Sequence, residues 1–141
     1  MEATGDRVDA VVERVARSAF HQRWGMRLER VVPGEVDVTM ETEPEHLNLV
    51  GVVHGGVLST LADTATGLAL HTALEPGFTH VTSQFNITFL APGKPGTIMA
   101  RGRVLKAGRR FGYAEADVVD AGGRLLARAT ATFTVLPERS S

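Results

Sequence analysis

Residues 48–63 read "NLVGVVHGGVLSTLAD": a loop-like run, a His54-Gly55-Gly56 step, then an apolar pattern that carries one acid, Asp63. From Gly55 to about Leu74 the residues Leu58, Leu61, Ala62, Ala65, Leu68 and Ala69 recur at helical spacing and predict one long helix. Its stripe is rich in alanine, so the helix can lie close against whatever covers it. Two glycines at its start open the backbone to a ligand, because no Cβ stands in the way. The free first-turn N–H groups and the helix dipole there suit an anion or a polarised carbonyl oxygen. Taken alone, Gly55 and Gly56 are explained more plainly by a tight loop-to-helix turn.

Asp63 resists so plain an account. No basic residue stands three or four positions away, and the helix carries almost no other charge from Val57 to Leu74. A solvated helix face is therefore poorly supported, and an unpaired buried carboxylate is costly. Ser59, Thr60, Thr66 and Gly67 around it are small and mostly polar, which suits the wall of a cavity. Gly55 and Asp63 are eight residues apart, about 12 Å of helical rise, too far to touch one reacting carbonyl within one chain. If they act together, the acid comes from one subunit and the glycine N–H from another. Two such helices would then lie side by side and antiparallel, in a twofold dimer with two equivalent interface sites.

Outward from this helix the pattern becomes β. Met26 and Leu28 alternate with Arg27 and Glu29, Pro33-Gly34 turns the chain, and Val36, Val38 and Met40 alternate again: a hairpin. Four more strands are expected at 79–91, about 97–106, 111–120 and 124–136, separated by glycine- and proline-rich turns. In the first of them Val81, Ser83, Phe85, Ile87 and Phe89 are expected to share one face. Upstream, Val8, Val11, Val12, Val15 and Ala19 predict a short amphipathic helix within residues 1–22, with Asp6 as its N-cap. Residues 137–141 form a polar tail expected to fray. The sum is a single α+β domain over 1–141: an antiparallel sheet of about six strands around one long helix, with a short N-terminal helix.

Composition narrows the function classes. With 141 residues, 43% hydrophobic and 22% charged, the chain suits one ordinary globular domain. A formal net charge of −1 gives no field for nucleic acid or an anionic membrane. The absence of cysteine excludes disulfides and thiolate chemistry and fits the cytoplasm. No apolar run approaches the length of a membrane span, and the acidic N-terminus does not read as a signal peptide. His46, His54, Asp63 and His71 lack metal-ligand spacing, no H-E-x-x-H is present, and neither nucleophile-elbow nor phosphate-loop motifs occur. His71 reads as a core histidine or a partner of the helix C-terminus. His21 and His80 carry no signal.

Asn48, five residues, His54-Gly55-Gly56, six residues and Asp63 resemble the hotdog-fold acyl-CoA thioesterases of the PaaI-like kind, known from phenylacetate degradation. The resemblance extends over "VTSQFNITFLAPGKPG", "GRVLKAGRR" and "GRLLARATATFTV" in matching order. It implies the hotdog fold and hydrolysis of acyl-CoA to free acid and CoA, with no cofactor beyond the coenzyme A of the substrate. It also implies roles. The Gly55 N–H would polarise the thioester carbonyl; Asp63 of a partner subunit would activate water or attack directly; Asn48 and His54 would orient the reactants; Thr82 would help hold the water. Gly56 and the basic turn Lys106, Arg109 and Arg110 are candidates for the CoA side, although a Lys/Arg turn is also an ordinary solvated hairpin end. The expected assembly is a homodimer with shared sites, built further into a tetramer, without nucleic-acid or membrane partners. The rival readings are a non-catalytic acyl-CoA-binding module and a hotdog hydratase or dehydratase.

Overall fold

The computed structural model describes residues 2–139. Its elements are α1 (Glu2–Arg17), α2 (Ala19–Arg23), β1 (Arg27–Val32), β2 (Glu35–Glu41), α3 (Gly55–Ala73), β3 (Phe78–Phe89), β4 (Thr97–Ala107), β5 (Phe111–Asp120) and β6 (Leu125–Pro137). The six strands form one sheet in the order β1-β2-β4-β5-β6-β3, every neighbouring pair antiparallel. This is the expected sheet around one long helix. Among the described residues no helix is long and apolar enough to cross a membrane.

The core lies between α3 and the inner sheet face. Val36, Val38, Met40, Ile98, Ala100, Ala116, Val118, Ala127 and Ala129 meet Leu58, Leu61, Ala62, Ala65 and Ala69, all essentially buried. The inner face is alanine- and glycine-rich because the helix backbone itself comes close. A Cβ on Gly102 would stand 2.4 Å from the Ala65 carbonyl oxygen.

Four local expectations need correction. The N-terminal segment is two helices, since Ser18 leaves helical geometry and caps α2, accepting from the His21 N–H. Asp6 lies inside α1, which begins at Glu2. The buried stripe of α1 is Arg7, Val11 and Val15 rather than a purely valine one; Val12 and Ala19 are exposed. Arg7 is buried because it donates to the Glu75 and Phe78 carbonyls just beyond the C-terminal end of α3, the Phe78 bond being 3.0 Å. Of the 137–141 tail, Pro137 closes β6 and the Glu138 N–H donates to the Gly77 carbonyl, so these two residues are held; residues 140–141 lie outside the described ones.

The fourth correction matters most for the site. Val81 does not share the face of Phe85 and Ile87. The β3–β6 register shifts between Thr82 and Gln84, leaving Ser83 as an extra residue opposite β6. Such a bulge reverses the alternation. Val81 therefore points outward and is half exposed, while Thr82 faces the helix.

Candidate active site

α3 begins as the glycine pair requires. His54 is its N-cap, with φ −60° and ψ 136°, and its Nδ1 accepts the Gly56 N–H at 2.8 Å. The His54 carbonyl accepts from Val57 and Leu58. Among the described residues this leaves the Gly55 N–H as the first-turn donor without an acceptor. It opens on a groove of about 310 Å³ lined by Val52, Val53, Leu58, Phe89 and the 90–93 turn. Because Nδ1 of His54 is an acceptor, the neutral ring carries its proton on Nε2, and the side chain is exposed.

Asn48 sits at the start of this loop, and its Oδ1 accepts from the Val50 and Val52 N–H groups at 3.0 and 3.2 Å. The amide oxygen is thus committed to shaping the turn into α3, leaving only the NH₂ end for a ligand. Next to it Leu49 and Val50 stand fully or largely exposed.

Asp63 faces a second, separate cavity of about 210 Å³, lined also by Phe20, Thr64, Gly67, Leu68, His80, Thr82 and Phe133. The Thr82 hydroxyl donates to Asp63 Oδ1 at 2.9 Å. One carboxylate oxygen is therefore held while the other is left to a ligand or a water. The Ser83 bulge produces this contact, and Ser83 itself bonds Thr134 on the outer face. The side of α3 that the sheet does not cover runs through Gly56, Ser59, Thr60, Asp63, Thr64 and Leu68, small or polar apart from the leucine.

The structure thus brings Asp63 and Thr82 together, and Asn48, His54, Gly55 and Gly56 together, but it does not join the two groups in one chain. The basic turn belongs with neither. Gly112, just after it, abuts Leu70 near the C-terminal end of α3: a Cβ there would lie 2.5 Å from the leucine Cδ1. Leu70 is fifteen residues from Gly55, about 22 Å of rise. Lys106 lies over the Phe111 ring at 5.0 Å, and Arg109 and Arg110 are exposed. No group of three His, Asp or Glu side chains among the described residues converges as a metal site.

Sequence reasoning missed the histidines behind the Asp63 cavity. His71 is buried, and its Nε2 receives hydrogen bonds from Arg7 at 3.0 Å and Arg14 at 3.2 Å. Burial first, then the charge of Arg7, pushes its pKa down to about 4, so it is a neutral core histidine and not a cation at the helix end. His80 lies 5.7 Å from it, ring to ring, and burial holds its pKa down to about 4 as well. Neither position carries a signal in sequence, because only the bulge and the burial of Arg7 bring these groups together.

Known proteins agree with this architecture. Residues 50–127 match the Thioesterase superfamily. Human acyl-coenzyme A thioesterase 13 is 37% identical over 98 residues, 68% of this chain and 69% of that protein. The Escherichia coli PaaI protein from the phenylacetic acid degradation operon superposes with a TM-score of 0.85 at 26% identity, covering 99% of this chain and 98% of that one. A Streptococcus mutans protein solved bound to acetyl CoA superposes with a TM-score of 0.75 at 33% identity, over 82% and 91% of the two chains. With its helix-wrapping sheet and a match over more than half its length, the chain belongs to the thioesterase superfamily and is a hotdog-fold thioester hydrolase.

Proposed function

We propose that the protein hydrolyses acyl-CoA thioesters at sites shared between two copies of the chain. The observation that carries this reading is the separation of the two half-sites. An unpaired Gly55 N–H opens on one cavity and the Thr82-anchored Asp63 on another, eight residues along the same helix. Placing the exposed strip of α3 against its twin, antiparallel, brings the Gly55 of one chain to the Asp63 of the other. The same twofold axis carries the Lys106–Arg110 turn, at the far end of α3, towards the partner's Gly55, where the phosphates of CoA would lie. The exposed Leu49 and Val50 and the half-exposed Val81 on the free edge strand β3 would gain cover from such a partner. Relatives named for acyl-coenzyme A, and one solved with acetyl CoA, support CoA as the carrier.

In this reaction the carbonyl oxygen accepts the Gly55 N–H, whose hydrogen bond strengthens as the oxyanion forms. Asp63 takes a proton from a water that Thr82 helps to hold, and the water oxygen bonds to the carbonyl carbon. The tetrahedral adduct then expels the CoA thiolate, which takes up a proton, and the free acid leaves. Asn48 and His54 set the approach of the substrate to the helix. Direct attack by Asp63 to give a mixed anhydride is the alternative course at the same residue. The protein acts in the cytoplasm as a dimer assembled further into a tetramer. An aryl-acetyl group is one candidate for the acyl part.

Thiol release from a panel including phenylacetyl-, benzoyl- and hexanoyl-CoA tests the proposal on wild type and Asp63→Ala. Hydrolysis by wild type and loss of about a thousandfold or more in the variant are expected. Undiminished activity in Asp63→Ala would remove the mechanism. Binding of CoA esters without hydrolysis by either form would identify a binding module.

A further inference from the structure

The Asp63 cavity contains a group that hydrolysis as written does not use. His80 lines it, and its Nδ1 is the one buried side-chain polar atom among the described residues that has no hydrogen-bond partner. A native structure pairs nearly all such atoms, so an orphan beside a reaction site calls for an explanation. The ring is firmly placed. It meets Phe133 edge to face, with centroids 5.1 Å apart and an interplanar angle of 82°, and His71 stands behind it. Gly67 makes the room: a Cβ there would lie 3.2 Å from His80 Cε1.

The ring's chemistry follows from its surroundings. His71 and the buried Arg7 behind it, together with burial itself, keep His80 neutral. A neutral imidazole offers one donor and one acceptor, as a hydroxyl does, and matches neither a carboxylate nor an ammonium group as well. Its position follows from the fold. His80 precedes Thr82 by two residues on the same face of β3, about 7 Å along the strand. Gly67 lies one turn beyond Asp63, about 6 Å along the helix. Between these points the walls are the apolar Leu68 and Phe133. An acyl group whose carbonyl sits at Asp63 can thus extend past Leu68 and reach His80 with its far part.

Resting on the thioesterase reading above, we propose that His80 is a specificity-determining residue. It hydrogen-bonds a hydroxyl borne several bonds beyond the thioester carbonyl, and so favours hydroxyacyl thioesters over their unsubstituted counterparts. Thiol release is measured for two matched pairs, hexanoyl-CoA with 5-hydroxyhexanoyl-CoA and phenylacetyl-CoA with 4-hydroxyphenylacetyl-CoA. The proteins are wild type, His80→Phe and His80→Gln. In wild type the hydroxylated member of at least one pair is ahead by about tenfold or more in kcat/KM. In His80→Phe, which keeps a flat ring but no nitrogen, that ratio falls to within about twofold of one; His80→Gln, with a donor and an acceptor, restores part of it. Equal kcat/KM within both pairs in wild type, or a preference that survives His80→Phe, overturns the proposal. Either result leaves the thioesterase reading in place, because the unsubstituted esters report hydrolysis by themselves. No hydrolysis of any ester by wild type removes both. The wild-type comparison stands even if a variant fails to fold.

Discussion

Replacing Gly55 with proline deletes one hydrogen atom that the account depends on and little else. Gly55 is the first helical residue of α3, where proline's fixed φ suits the backbone and its missing N–H breaks no helical bond. The residue before it must be extended, and His54 already is, at φ −60° and ψ 136°. The N-cap survives, because it runs from the Gly56 N–H to His54. The new Cβ would stand 3.1 Å from Phe89 Cζ, the end of a half-exposed side chain that can yield by a few tenths of an ångström. Stability should therefore change by less than about 1 kcal/mol. Activity should not survive so well. Loss of one oxyanion donor costs about 2.7–4 kcal/mol, about 10² to 10³ in kcat. Gly55→Ala is the control, since it adds the same Cβ and keeps the N–H. The assay is steady-state thiol release beside a thermal melt of each protein. A folded Gly55→Pro enzyme with kcat within tenfold of Gly55→Ala would refute the role given to this N–H.

Gly102→Ala tests the close seating of α3 on β4. Its Cβ would meet backbone atoms of Ala65 at 2.4 and 2.6 Å, so the helix itself must move, costing about 3 kcal/mol or more and lowering Tm by about 10 °C; an unchanged melt would contradict the packing described. Stability should also fall in acid. His71 and His80 have folded pKa values lowered to about 4 from the model value of 6.5, so the unfolded chain binds protons first. Their contribution is complete above about pH 6.5 and is lost as pH falls towards 4. It amounts to about 3 kcal/mol for the pair, discounted for partial solvent access. Urea titrations between pH 7.5 and 4.5 should show this loss, and it should shrink in His71→Leu; a flat profile in wild type would contradict the neutral burial of the two rings.

The long helix was legible because its signals agree. A capping residue, a glycine pair, an alanine-rich apolar stripe and one unpaired acid all point to the same element. The strands were legible from alternation and turn residues, to within a residue or two at their ends. What escaped the sequence depends on pairing between distant segments. The Ser83 bulge is a register shift against β6, invisible to the periodicity of β3 alone, and it is what turns Thr82 towards Asp63. Arg7 reads as a surface residue until the carbonyls of Glu75 and Phe78 are beside it. His80 becomes notable only when Gly67, Phe133 and His71 surround it. The separation of Gly55 and Asp63, by contrast, is fixed by helix geometry and could be read directly.

Mixing two defective proteins tests the shared site most directly. Asp63→Asn and Gly55→Pro are each purified, shown to be inactive, then unfolded and refolded together in equal amounts. In a heterodimer one interface site joins both lesions and the other joins the intact Asp63 of one chain to the intact Gly55 of its partner. Half the dimers are then mixed and each has one working site, so about a quarter of wild-type activity should return. A mixture that stays as inactive as its components, although mass spectrometry shows mixed dimers, would contradict a site built from two chains.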